Sequence, residues 1–170
     1  MQFMPAPKPL LNPCTEFALA THSGDYATWP SRTRLLRRGA PTNCLLPGYS
    51  LLHQYARAFA NNAPEYLLVI DCDCPFEEAT TVVLLSNDLQ RLGKCTFAAS
   101  YASWLLRACE PFVASDGNVG VALSFGEREN WKISIEQRRT SSLLNRVWPR
   151  LRRKRCADAP QEDPPNASPL

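Results

Sequence analysis

Leu51, Leu52, Tyr55, Ala56 and Phe59 recur at three- and four-residue intervals. That spacing predicts an amphipathic helix over residues 48–61, entered at Pro47 and stopped by Asn61, Asn62 and Pro64. Residues 66–70, Tyr-Leu-Leu-Val-Ile, are apolar without alternation, which predicts a strand buried on both faces. Residues 80–85, rich in β-branched side chains, predict a second strand. Phe97, Tyr101, Trp104, Leu105 and Ala108 form the clearest helical stripe, with Thr96 as its N-cap. Val119, Val121, Leu123 and Phe125 then alternate with small or polar residues, as do Trp131, Ile133 and Ile135. The five residues 126–130 join these runs and predict an antiparallel hairpin. A last helix is expected from Thr140, with Leu143, Leu144, Val147 and Trp148 on its apolar side and a break at Pro149.

The expected fold is therefore α+β: a small antiparallel sheet packed against two or three helices, with disordered termini. Val121, Leu123, Phe125, Ile133 and Ile135 should meet Phe97, Tyr101, Trp104 and Leu105 in the core. Fifteen prolines sharpen the boundaries, because eight of them fall at the two ends (Pro5, Pro7, Pro9, Pro13, Pro160, Pro164, Pro165, Pro169). Residues 1–25 are expected to be a flexible tail, 26–155 a single domain ending in a basic helix, and 156–170 a disordered tail. No apolar run is long enough to cross a membrane, and no secretory leader pattern is visible, so an intracellular chain with reduced cysteines is expected.

Three stretches invite a chemical reading. "LLVIDCDCP" and "VVLLSND" resemble the first two motifs of haloacid-dehalogenase-type phosphatases. That likeness implies Asp71 as nucleophile, Asp73 as general acid and Ser86 as phosphate ligand. Only eight residues, 72–79, separate the two runs, too few for the parallel crossover such a site needs. They predict a hairpin whose acids, Asp71, Asp73, Glu77 and Glu78, simply solvate a loop. "TNCLL" places Cys44 at an expected helix start, as in papain-like proteases, but only His53 follows, on the helix itself. Cys72, Cys74, Cys95 and Cys109 make a zinc site conceivable, although their spacing matches no standard finger and buried free thiols are the plainer reading. The expectation is no enzyme, no cofactor and no metal.

Charge changes the picture. Residues 1–40 hold five bases against two acids, 41–137 hold six against eleven, and 138–170 hold eight against three. A polyanion would then meet the basic ends. Candidate RNA-binding residues are Arg32, Arg34, Arg37 and Arg38 at one end, with Arg138, Arg139, Arg146, Arg150, Arg152, Arg153, Lys154 and Arg155 at the other. Residues 150–155 also suit a nuclear-import signal, and the plain alternative is a solvated helix face. Tyr26 and Trp29, three apart and followed by arginines, are candidate base-stacking residues, or else a cover for the core edge.

The order of these features is similar to the small RNA-silencing suppressor of tombusviruses. The likeness rests on the pair Tyr26 and Trp29, the "TFAAS" start at Thr96, the hairpin 119–136 and the last helix. It implies capping of a short RNA duplex by the aromatic pair, with Ser124, Lys132, Ser134 and Gln137 on the sheet and Glu127 and Glu136 opposing them. "LLPGYSLLHQYARAFANNAP" resembles the F-box-like motif of polerovirus suppressors, carried by Leu46, Pro47, Leu51 and Pro64. That likeness implies a host-protein adaptor that binds no RNA. The first expectation is a viral accessory protein that binds RNA and suppresses host silencing, in host cytoplasm and nucleus. Its partners would be RNA and a host protein, with no membrane and with room for a homodimer.

Overall fold

The computed structural model describes residues 10–58, 63–72, 78–98, 104–125, 129–139 and 147–156. The chain runs β1 (Leu11–Pro13), β2 (Phe17–Leu19), a 3-10 turn at Tyr26–Thr28, β3 (Arg32–Arg37), β4 (Ala40–Pro47), β5 (Ser50–Arg57) and β6 (Glu65–Cys72). It continues through β7 (Ala79–Leu85), β8 (Arg91–Phe97), β9 (Ala108–Val113), β10 (Val119–Ser124), β11 (Asn130–Arg139) and β12 (Val147–Arg155). No α-helix occurs among the described residues. The α+β expectation is overturned: the described residues are nearly all β, and three antiparallel sheets replace one sheet with helices.

The central sheet has the order β1-β5-β6-β7-β8. One face packs Tyr55, Leu67, Val69, Val82 and Leu84 against Val119, Val121, Leu123, Ile133 and Ile135 of the four-stranded sheet β12-β11-β10-β9. The other face packs Tyr66, Leu68, Ile70, Val83 and Leu85 against Phe17, Leu35 and Leu46 of the three-stranded sheet β2-β3-β4. The molecule is thus three layers with two apolar seams. This is why residues 66–70 and 82–85 do not alternate: successive side chains point to opposite faces, and both faces are covered.

The expected helix at 48–61 is β5 over its described part. Sheet pairing slips between Leu51 and His53. This bulge puts Leu51 and Tyr55 on opposite seams although they are four apart, and so produces a helix-like apolar spacing in a strand. The stripe at 97–108 also fails as a helix. Phe97 ends β8, residues 104–107 carry no regular structure, and Ala108 opens β9; Tyr101 lies outside the described residues. Phe97 and Trp104 still meet, ring centroids 5.7 Å apart, because both pack into the same seam. The last, basic helix is in its described part the strand β12, paired along β11 from Trp131↔Arg155 to Arg139↔Val147. Residues 140–146 lie outside the described set. The β10–β11 and β6–β7 pairings are antiparallel hairpins as expected.

The segment expected to be an N-terminal tail contributes β1 and β2, with Leu11 and Phe17 in the core. Gln54 of β5 holds β2 with its amide: its Oε1 accepts from Phe17 N and its Nε2 donates to Phe17 O, each at 2.9 Å. Arg38 and Gly39, both at positive φ, make the two-residue turn of the β3–β4 hairpin. Gly48, at φ +91°, carries the chain from the outer three-stranded sheet into the central one. A Cβ there would lie 2.5 Å from the Asp71 carbonyl oxygen. Within the described strands, proline falls only on those that end a sheet: Pro13 in β1, Pro41 and Pro47 in β4, Pro111 in β9 and Pro149 in β12.

Candidate nucleic-acid interface

The basic run at 150–155 is sorted by its strand conformation. Alternation sends Leu151, Arg153 and Arg155 to the side of Ile135, Ile133 and Trp131, the inner face. Arg150, Arg152 and Lys154 go to the outer face, opposite Glu136, Ser134 and Lys132, and all three are exposed. They stand at every second residue, about 7 Å apart along the strand.

The inner set has partners on its own side, although Arg153 and Arg155 are also exposed. The Arg153 guanidinium lies 4.8 Å from the centroid of Trp131 and 5.3 Å from that of Phe97, and donates to the Thr96 carbonyl at 3.5 Å. It closes the side of the sandwich where the edges of β12 and β8 face each other. Leu151 packs there against Gly93. Arg155 is ion-paired with Glu129 at 2.6 Å.

The outer face continues across the sheet. In register, Arg152, Ser134, Gly120 and Phe112 form one row, and Lys154, Lys132, Ala122 and Glu110 the next. A trough of about 490 Å³ is lined by Phe112, Lys132, Ser134, Glu136, Arg152 and Lys154, among others. The Lys132 ammonium sits 5.5 Å from the Phe112 centroid. It reaches from β11 over β10 because Gly120 and Ala122 raise nothing larger than a methyl group between them. Gly120 is required there, since a Cβ would overlap the Ile133 carbonyl. Arg152 also bonds Glu136 at 3.1 Å, with its side chain 67% exposed.

The N-terminal arginines are elsewhere. Arg32 and Arg34 are exposed on the outer side of β3, two layers away, and Arg34 donates to the Thr42 carbonyl at 2.6 Å. Arg37 bonds Glu16, the Tyr66 hydroxyl and Asn87, and Arg38 pairs with Glu16 at 3.3 Å. The two basic ends therefore do not form one surface. Arg138 and Arg139 lie in β11, and Arg146 falls outside the described residues. Tyr26 and Trp29 do not stand free as a pair. Their centroids are 5.2 Å apart, and Tyr49 and His22 pack on them. Lys132 and Phe112 complete the face. Lys132 belonged to the sheet group implied by the tombusvirus likeness, whereas Phe112 gave no signal until β9 was known to be a strand.

The other candidates are placed as follows. Asp71 is opposite Thr80, while Ser86 follows Leu85, whose partner is Tyr66, so the two lie at opposite ends of the β6–β7 hairpin. Asp73 and Cys74 lie outside the described residues. Cys44 is in β4, and burial holds its thiol above the ordinary value. Burial also raises the Cys95 and Cys109 thiols; Arg153 opposes the rise at Cys95, and the Tyr55 hydroxyl opposes it at Cys109. No group of three or more His, Cys, Asp or Glu able to hold a metal occurs among the described residues. Leu46 is 2% exposed in the core, Leu51 packs on the same seam, and Pro47 and Pro64 are half-buried. Comparison with protein-family models, with curated proteins and with solved structures finds no match.

Proposed function

We propose that this protein binds RNA through the phosphate backbone, on the outer face of the sheet β9–β12, and acts without catalysis. One observation carries the reading: strand alternation puts Arg150, Arg152 and Lys154 on one exposed face with Lys132, while Arg153 and Arg155 are turned to the other face, Arg153 over the rings of Trp131 and Phe97 and Arg155 beside Glu129. Arginine forks match phosphate oxygens, and each neutralised phosphate releases counterions. A surface that takes up phosphate without reading bases would sequester RNA and leave it uncut. That is the action of a silencing suppressor, the role suggested by the sequence. The helices that carried the likeness to tombusvirus suppressors are absent from the described residues, so the proposal stands on the cationic face alone.

The test is a salt titration of RNA binding by fluorescence anisotropy. Four phosphate contacts give a log–log slope of roughly −3 to −4. Changing Arg150, Arg152 and Lys154 together to Gln should reduce it to about −1. Arg32→Gln with Arg34→Gln should leave it unchanged. Wild-type affinity and slope in the triple variant would refute the proposal.

A further inference from the structure

Resting on that reading, we infer that the ligand is single-stranded RNA, its phosphates along β12 and a base laid over β10 onto Phe112. The face is polarised. On the β12 side Arg150, Arg152, Lys154 and Lys132 outnumber the one carboxylate, Glu136, whereas Glu110 on β9 and Asp116 in the following turn make the far side acidic. A phosphate chain is held at the first side and repelled from the second, so the bases point across the sheet. About 14 Å separates β12 from β9 over three strand spacings. That is the span of an arginine side chain and one nucleotide laid flat.

The floor between is already open. Lys132 reaches the Phe112 ring across it, over Gly120 and Ala122, and Ser134 offers a hydroxyl in the same row. An incoming base takes the place of the Lys132 ammonium on the ring, and the freed lysine turns to phosphate. The stacking surface is worth having only if the base is unpaired. In a duplex the base faces are hidden, and only the cations would be used.

The experiment compares an unstructured oligouridine of about 12 nucleotides with a duplex of equal length, in wild type, Phe112→Ala and Phe112→Trp. Phe112 is on the outer face, away from both seams, and circular dichroism and thermal melting check that the variants fold. The wild type should prefer the single strand. Phe112→Ala should weaken oligouridine binding roughly 5- to 150-fold at an unchanged salt slope and leave duplex binding alone. Phe112→Trp should restore it. Equal affinity for both forms, with Phe112→Ala silent, would overturn the single-strand inference and leave phosphate binding standing. Binding of neither form at low salt would overturn both.

Discussion

Arg152 and Arg153 are adjacent, chemically identical and assigned opposite duties, so replacing each by Gln should give opposite results. Arg153 stacks on Trp131 and Phe97 at 4.8 and 5.3 Å. An exposed cation over a ring contributes about 0.5–1 kcal/mol, so two rings give about 1–2 kcal/mol. For a chain of this size that lowers the melting temperature by about 2–8 °C. Arg152 makes one exposed ion pair with Glu136, worth a few tenths of a kcal/mol, and its loss should move the melting temperature by less than about 2 °C. On RNA the order reverses. Arg152→Gln should flatten the salt slope by about 0.7–0.9, one phosphate contact, and Arg153→Gln should leave the slope unaltered. Thermal unfolding followed by tryptophan fluorescence and anisotropy at several salt concentrations measure both quantities on the same samples. If Arg153→Gln flattened the slope while melting like wild type, β12 would be turned over and the assigned face would be wrong.

Three further outcomes follow from the interior. Gly48→Ala should destabilise by about 1–3 kcal/mol in urea unfolding, because it adds a Cβ at positive φ against the Asp71 carbonyl; a neutral result would deny that close crossing. Arg57, buried, pairs at 3.6 Å with the partly buried Glu65, and burial lowers the arginine pKa and raises that of the glutamate. Arg57→Met should therefore cost about 3–5 kcal/mol, and adding Glu65→Leu should recover most of it, as a double-mutant cycle would register. Burial holds His53 below its ordinary 6.5, so the unfolded chain takes up the proton first. The stability His53 contributes is then present above pH 6.5 and lost as pH falls through its lower folded value, and His53→Gln should remove that part of the acid-side decline.

What the chain disclosed depended on whether one face or two were buried. The β10–β11 hairpin has one face on a seam and one in water, so Val121, Leu123, Ile133 and Ile135 alternate legibly. The runs of β6 and β7 are solidly apolar and short, and were equally plain as strands. β5 was hidden by its bulge. β12 was hidden by charge: five bases on both faces of an edge strand carry no apolar period, and Pro149 reads as a helix break although an edge strand tolerates it. The basic residues of the site were legible as a cluster, but only the strand tells Arg152 from Arg153. Phe112 emerges only from the register of β9 with β10, a pairing no local pattern announces.

The prolines carry one more consequence. Four of the six strands that end a sheet contain proline; of the others, β2 is three residues long and β8 is faced by β12. A foreign strand laid along one of those four meets a position with no N–H to give. Lengthening a sheet by annexing another chain, the route to fibrils and to exchanged subunits, is thereby discouraged at the rim. Residues that by composition suggest a loose chain act here as insulation. They leave the broad faces, rather than the edges, as the surfaces through which the molecule meets anything else.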